Sequence, residues 1–120
     1  SGCVINLLDQ KLFNLNPDFF SYTLAKHALL SATTTMAMAL APRVRVNGIA
    51  PGLTLPSGAQ SETEFEHAHQ SNPMQGGSTA DDIVRAVRFI IATPSMTGET
   101  MTIDGGEHLM RRTRDVSIEP

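Results

Sequence analysis

This sequence has little of the chemistry on which several protein classes depend. It contains one cysteine, Cys3, so it cannot form an internal disulfide, and it has no tryptophan and one tyrosine. Charge of either sign is sparse, with 9 Lys and Arg residues against 12 Asp and Glu residues and a net charge of −3. A dense basic patch is the main source of nucleic-acid affinity, so we expect no nucleic-acid partner.

Long apolar runs are also missing. No stretch reaches the roughly 18 apolar residues that a membrane-spanning helix needs, so we expect no membrane partner. Cys3 stands in a short apolar segment, where we expect a buried, inert thiol. A lone cysteine fits a reducing compartment, and we expect a cytoplasmic protein. The remaining composition, 41% apolar and 18% charged over 120 residues, is typical of one globular domain.

What the sequence does contain is an alternation of strand and helix signals. The first strand signal is a nearly continuous apolar run, which predicts burial on both faces of a sheet. The first helix has Asp18 as its expected N-cap and Pro42 as its stop. In chain order, the elements are a strand at residues 3–8, a helix from Asp18 to Ala41, a strand at 43–49, a helix opened by a capping box at Thr79 and a strand at 100–103. This alternation predicts an α/β fold with a parallel sheet.

Two polar segments interrupt this pattern. Residues 53–78 show little apolar periodicity apart from a short helix expected at residues 62–69, and they predict either a mobile lid over a site or a disordered loop. Two histidines in this segment, His67 and His69, do not share a helix face, so we expect no metal site. The arginine-rich stretch at residues 111–114 predicts a solvated tail.

A phenol and an ammonium lie four residues apart on the first predicted helix, at Tyr22 and Lys26. Residues at this spacing share one helix face, with Cβ atoms roughly 5–6 Å apart. A nearby cation favours the phenolate, so we expect Lys26 to lower the pKa of Tyr22 from its usual value of about 10. Such a tyrosine can exchange a proton near neutral pH.

The predicted topology brings further groups to the same place. Asp9 follows the first strand, Pro51 and Gly52 follow the second, and Tyr22 and Lys26 belong to the first turns of the intervening helix. Open α/β sheets bind ligands at the carboxyl ends of their strands. Spacing and topology therefore predict one shared crevice, and by themselves they leave open whether it is an active site.

Together these motifs resemble the second half of a short-chain dehydrogenase/reductase. In order, they are Tyr22-x-x-x-Lys26, Asn47-Gly48-Ile49-Ala50-Pro51-Gly52, Thr97-Gly98 and Ile103-Asp104-Gly105-Gly106, and the resemblance covers residues 2–110. Most members of that family have a serine about thirteen residues before the tyrosine, where this chain has Asp9. An aspartate there, and the run Pro51-Gly52-Leu53-Thr54, are similar to pteridine reductases of the dihydromonapterin or dihydrofolate reductase type.

The resemblance implies a Rossmann-like, doubly wound parallel sheet and an enzyme in which NADPH reduces a C=N bond of a pterin or dihydrofolate. The catalytic residues would be Asp9, Tyr22 and Lys26, with Tyr22 as the proton donor. The resemblance also implies a homo-oligomer, either a tetramer or a dimer. The residues implied for cofactor binding are Tyr22, Lys26, Pro51, Gly52, Leu53 and Thr54.

The glycine-rich turn that holds a pyrophosphate in Rossmann folds does not occur in these residues. We therefore expect residues 1–120 to be the C-terminal part of a single reductase domain, inactive alone, with a substrate loop at about 53–78 and without the N-terminal nucleotide-binding half. Two alternatives stay open. One is a carbonyl or 3-oxoacyl reductase of the same family, and the other is a truncated, non-catalytic fragment that acts only in assembly.

Overall fold

Three parallel strands form the centre of the computed structural model, which describes residues 1–56, 58 and 60–118. They are β1 (Gly2–Leu7), β2 (Val44–Pro51) and β3 (Thr100–Ile103), in the spatial order β1-β2-β3. In this register Val4 lies opposite Val46, and Ile49 lies opposite Met101. The central strand β2 begins one residue later and ends two residues later than its sequence pattern predicts.

Helices connect and cover these strands. They are α1 (Phe20–Leu40), α2 (Glu62–His69) and α3 (Ala80–Ala92), with short 3-10 helices at Gln10–Phe13 and Glu107–Leu109. The resulting order of strand, helix, strand, loop, helix and strand confirms the predicted α/β class. In the part of the chain that the structure describes, no helix has both the length and the apolar character needed to cross a membrane.

The core divides between the two faces of the sheet because adjacent strand residues point in opposite directions. Ala50 faces α1 and packs in a cluster with Leu8 and Leu12, against which Leu29 and Leu30 of α1 also pack. The preceding residue, Ile49, is fully buried on the other face in a cluster with Ala86 and Ile90 of α3. Each helix therefore covers one face of β2, and the carboxyl end of β2 emerges between them.

The two shorter helices begin with side-chain caps, of which the sequence pattern predicts the one at Thr79. In α3 the hydroxyl of Thr79 accepts the Asp82 N–H, and the Asp82 carboxylate accepts the Thr79 N–H, which confirms the predicted capping box. Ser61 and Glu64 form the same arrangement at the start of α2. These reciprocal bonds satisfy backbone donors that a helix end otherwise leaves unpaired.

Helix α1 begins differently, and the predicted Asp18 cap is wrong. The N-cap position belongs to Phe19, which has a left-handed backbone (φ 54°) and no side-chain cap. The carboxylate of Asp18 instead accepts hydrogen bonds from the Arg114 guanidinium and the Asp115 N–H. Asp18 therefore binds Arg114, 96 residues away in the sequence, instead of capping the helix that follows it.

The first strand is less covered than its apolar sequence predicts. Among the described residues β1 pairs with β2 alone, so its other edge is open. Cys3 is exposed, which corrects the expectation of a buried thiol, and the Leu7 side chain is 51% exposed. The apolar pattern predicts cover on both faces of the strand. Both faces have contacts, through Ile5 to the cluster under α3 and through Asn6 to Thr33 of α1, and it is one edge that has no strand partner among the described residues.

The polar segment at residues 53–78 contains the expected short helix, and hydrogen bonds join both its beginning and that helix to its end. Thr54 Oγ1 lies 2.7 Å from Ser78 Oγ, and His69 Nε2 lies 2.9 Å from the Ser78 carbonyl oxygen. Positions 57 and 59 of the predicted loop lie outside the described residues. The two ends of the segment therefore meet beside the carboxyl end of β2.

Candidate active site

Asp9 is held in place by two hydrogen bonds to different carboxylate oxygens. It follows β1 and caps the 3-10 helix Gln10–Phe13, since its Oδ1 accepts the Lys11 N–H at 2.8 Å. Its Oδ2 accepts the hydroxyl of Tyr22 at 2.7 Å. The cap orients the carboxylate, so the structure brings together two of the residues that the sequence singled out.

Tyr22 and Lys26 lie on one face of α1 as their spacing predicts. The ammonium Nζ of Lys26 is 5.8 Å from the centroid of the Tyr22 ring and donates a 2.7 Å hydrogen bond to the Leu7 carbonyl oxygen. An ammonium within about 6 Å of an aromatic face is attracted to it. Lys26 therefore links the tyrosine-bearing helix to the carboxyl end of β1.

The expected lowering of the Tyr22 pKa does not occur in this arrangement. Partial burial of the phenol raises its pKa, and the hydrogen bond and negative charge of Asp9 raise it further, to well above the ordinary value. The phenol donates to a carboxylate, which favours the protonated form. The structure therefore presents Tyr22 as a protonated phenol, which holds a proton at the edge of the site.

The opposite wall of the site is the segment that follows β2. Gly52 N–H donates to the Ile103 carbonyl oxygen at 3.0 Å, and Thr54 Oγ1 donates to the Gly52 carbonyl oxygen at 3.0 Å. A Cβ on Gly52 would lie 2.7 Å from the Cβ of Asp104, a separation that real side chains do not tolerate. Glycine at this position lets the chain pass close to the end of β3.

These elements enclose a cleft of about 420 Å³ at the carboxyl edge of the sheet. Of the predicted site residues, it brings together Asp9, Tyr22 and the segment 51–54, while Lys26 touches the site through the Tyr22 ring. The residues that line the cleft are Leu8, Asp9, Gln10, Phe19, Tyr22, Pro51, Gly52, Leu53, Thr54, Leu55, Asp115, Val116 and Ser117. A volume of this size is within the usual range for small-molecule sites.

The last three of these residues are ones that sequence reasoning missed. Asp115, Val116 and Ser117 line the cleft beyond the arginine-rich stretch. The expectation of a solvated tail there is corrected in part, since Arg111 and Arg114 are exposed but Arg112 is largely buried and both Arg112 and Arg114 are paired with carboxylates. Arg112 forms a paired contact with Glu107 at 2.8 and 3.0 Å, and Arg114 forms a forked contact with Asp18. No local pattern signals these pairings, because both arginines look solvent-facing in a run of charges.

The turn after β3 supports the floor of the site. The nearly buried carboxylate of Asp104 accepts the N–H groups of Gly106 and His108 and lies 2.8 Å from His108 Nδ1. Gly105 and Gly106 have φ values of 64° and 84°, which only glycine adopts readily. Residues 104–106 therefore form a turn that ends β3. Within the described residues no group of three His, Cys, Asp or Glu side chains is placed to hold a metal.

An open parallel α/β sheet with a carboxylate, a phenol and an ammonium at its carboxyl edge is the arrangement of a Rossmann-like fold, in which ligands bind at the carboxyl ends of the strands. A family model described as enoyl-(acyl carrier protein) reductase matches residues 2–108. The chain belongs to the short-chain dehydrogenase/reductase family, and its motifs fall in the C-terminal half of that fold.

Solved and curated relatives agree with this assignment. FolM alternative dihydrofolate reductase 1 from Brucella suis, in complex with NADP, is 48% identical with a TM-score of 0.89, covering 96% of this chain and 47% of that one. Pteridine reductase 1 from Leishmania tarentolae is 30% identical over 115 residues, which are 92% of this chain and 40% of that protein. A putative ketoacyl reductase 2 of the granaticin polyketide synthase from Streptomyces violaceoruber is 30% identical over 93 residues, 74% of this chain and 37% of its own length. This chain spans less than half the length of each of the three.

Proposed function

We propose that this chain carries the catalytic half of an NADPH-dependent reductase that reduces a C=N bond of a pterin or dihydropterin, including dihydrofolate. The observation that carries the proposal is the 2.7 Å hydrogen bond from the Tyr22 hydroxyl to Asp9 at the edge of the cleft. The Brucella suis dihydrofolate reductase is 48% identical and was solved in complex with NADP. It supports NADPH as the cofactor and a pterin ring as the group that is reduced.

The groups around the cleft fit the nicotinamide end of the cofactor. The ammonium of Lys26 can donate hydrogen bonds to the ribose hydroxyls, and the hydroxyl of Tyr22 can both donate to them and accept from them. The backbone of Pro51, Gly52 and Leu53, with the Thr54 side chain, lines the opposite wall and suits the carboxamide. When bound, NADPH supplies the hydride, and the protein supplies orientation and protons.

In the proposed mechanism, Tyr22 holds the proton that the ring nitrogen receives. The raised pKa keeps this proton on the phenol until a basic nitrogen is placed beside it. The negative charge that then develops on the phenol oxygen is offset by the ammonium of Lys26. Asp9 orients the hydroxyl through its second carboxylate oxygen, while its first oxygen stays bound to the Lys11 N–H.

The carboxyl group at position 9 favours a nitrogen heterocycle over a ketone. A neutral serine can donate a hydrogen bond to a carbonyl oxygen, whereas an ionised carboxylate can only accept. An amino-pyrimidine ring presents N–H donors that a carboxylate can bind. The carboxylate of Asp9 therefore favours a pterin substrate over a carbonyl compound.

We further propose that activity requires an N-terminal nucleotide-binding half, that residues 1–120 alone do not turn over, and that residues 53–78 form the substrate loop. The complete enzyme is proposed to be a cytoplasmic homo-oligomer, either a dimer or a tetramer. The lengths of the relatives support the need for an N-terminal half, since this chain covers 47% of the Brucella suis reductase.

Steady-state NADPH oxidation by the full-length protein tests the proposal. Dihydrobiopterin, dihydromonapterin, dihydrofolate and an acetoacetyl thioester are compared at matched concentrations. We expect turnover of at least one of the three pterin-ring substrates and little turnover of the thioester. Turnover of the thioester alone would overturn the pterin assignment and support a carbonyl or 3-oxoacyl reductase, a candidate that the 30% identity to a ketoacyl reductase favours.

A further inference from the structure

We propose that residues 114–117, which we call the C-terminal strap, are a substrate-selecting wall of the cleft, and that Lys11 is the positioning residue that holds this strap beside Asp9. The inference deepens the proposed function and rests on it. Asp115, Val116 and Ser117 line the cleft together with Asp9 and Tyr22.

The strap is fastened on its outer side to the start of the catalytic helix. The Arg114 guanidinium donates Nε to Asp18 Oδ2 at 2.9 Å and a terminal nitrogen to Asp18 Oδ1 at 2.9 Å, while Asp115 N–H donates to Oδ2 at 2.8 Å. Chain termini usually fray unless they are tied down. Asp18 lies two residues before α1, so this contact couples the strap to the helix that carries Tyr22.

Lys11 fastens the strap on its inner side. The side chain of Lys11 is buried, with only 3% of its surface exposed, and its Nζ lies 3.6 Å from Asp115 Oδ2. The same nitrogen donates to the Asp18 carbonyl oxygen and lies 5.3 Å from the centroid of the Phe19 ring. Burying an ammonium is unfavourable unless partners compensate it, and here every partner belongs to the strap or to the approach to α1.

The backbone of Lys11 completes the connection to the catalytic carboxylate. Its N–H donates to Asp9 Oδ1, while its side chain reaches Asp115. Lys11 therefore contacts both Asp9 and the C-terminal strap, and holds the two at a set distance from each other. Removing the Lys11 ammonium by substitution breaks its contact with the strap. It deletes no group that touches the reacting atoms.

The strap contributes charge and shape that discriminate between substrates. Asp115 adds a second carboxylate to a cleft that already contains Asp9, and Val116 adds an apolar side chain that is 9% exposed. Asp115 is kept in place by Ser117, whose N–H and hydroxyl donate to its Oδ1 at 3.0 and 2.7 Å. Two carboxylates and an apolar wall favour a flat ring that carries N–H donors and disfavour a substrate that places a negative charge directly beside them.

The test compares Lys11→Met, which keeps the apolar stem, with Lys11→Arg, which keeps the charge, in the full-length protein. For Lys11→Met we expect the KM for the turned-over dihydropterin to rise about tenfold while kcat changes less than about threefold. We expect Lys11→Arg to recover most of the wild-type KM. Amide hydrogen exchange at residues 112–118 should accelerate in Lys11→Met, and Arg85→Met on the exposed face of α3 serves as the matched control.

The outcomes separate this inference from the proposed function. If the wild-type protein reduces no dihydropterin, the proposed function fails and this inference fails with it. If it does, and Lys11→Met accelerates strap exchange without changing the KM, the inference alone is wrong. An equal fall of kcat and kcat/KM in Lys11→Met, with the KM for the dihydropterin unchanged, would assign Lys11 a merely structural role. Should Lys11→Met not fold, Arg114→Met opens the outer fastening at a 58% exposed side chain and is expected to raise the same KM by a smaller factor.

Discussion

At the scale of single residues, the site depends on one carboxylate that serves two partners. Asp9 uses one oxygen to cap a turn and the other to accept the Tyr22 hydroxyl. A carboxylate with only one of these bonds could rotate about its side chain. The cap removes that freedom, and the phenol is consequently held in one orientation towards the cleft.

The first prediction concerns the proton donor. Tyr22→Phe in the full-length protein should reduce kcat by at least about 100-fold, since positioned general acids contribute about 10²–10⁴. Cofactor affinity, measured by NADPH fluorescence titration, should change little because Lys26 remains. Thr23→Val deletes a neighbouring hydroxyl that donates to the Phe19 carbonyl oxygen one turn earlier, and it should retain most activity. Wild-type turnover in Tyr22→Phe would show that Tyr22 is not the donor.

The second prediction follows from the raised pKa of Tyr22. A phenol with a raised pKa keeps its proton to higher pH, so kcat/KM should stay level through pH 9 and fall only above about pH 10. Asp9→Asn removes a negative charge and a strong acceptor, so the pKa of Tyr22 should fall and the alkaline limb should move to lower pH. The measurement is the pH profile of kcat/KM, with Asp81→Asn on α3 as the control. An alkaline limb at the same pH in Asp9→Asn contradicts the assigned coupling.

At the scale of elements, the helices differ in what determines their beginnings. Helices α2 and α3 carry complete local caps, whereas α1 begins after a left-handed Phe19 and an Asp18 that is bound to Arg114. The start of α1 is therefore set by the C-terminal strap. Because Tyr22 lies in the first turn of α1, its position depends on a contact made by the far end of the chain.

The third prediction concerns the local cap. Thr79→Ala should lower the free energy of unfolding by about 1 kcal/mol, because it leaves the Asp82 N–H without its side-chain acceptor. Urea denaturation monitored by circular dichroism measures this change. Thr34→Ala, an exposed mid-helix position of α1, is the matched control and should cause no loss, since alanine is the better helix former. Equal stability of Thr79→Ala and wild type would mean that tertiary packing alone sets the start of α3.

At the scale of the whole molecule, the three strands form an incomplete sheet. Within the described residues β1 has a partner on one side only, and Leu7 next to the site is half exposed. An unpaired parallel edge with apolar side chains can pair with another chain. We propose that a nucleotide-binding half continues the sheet at this edge.

The fourth prediction tests that edge with the isolated 120-residue chain. It should sediment as self-associated species in analytical ultracentrifugation, because the edge of β1 and its apolar side chains lack a cover. Leu7→Lys places a charge on this edge and should shift the distribution towards monomer. Leu109→Lys, at an exposed side chain on the 3-10 helix Glu107–Leu109, should leave the association unchanged. A wild-type chain that is monomeric at high concentration would contradict the prediction.

The sequence by itself determined the elements and the convergence of the site. Apolar runs and the box at Thr79 are local signals, and residues close in sequence interact whatever the rest of the chain does. The four-residue spacing of Tyr22 and Lys26 and the strand-end position of Asp9 were sufficient to place them together. The strand order then brought the segment 51–54 to the same edge.

The tertiary structure alone decided the partners that lie far apart in the chain. Arg114 is 96 residues from Asp18, and no period or motif relates the two, so the capping role expected of Asp18 was lost to a long-range ion pair. The pKa of Tyr22 is likewise raised by burial and by the carboxylate it touches, and it is not lowered by Lys26 as the four-residue spacing predicts. Local chemistry specifies which elements form, whereas burial and charge pairing between distant segments specify which side chains face the cleft.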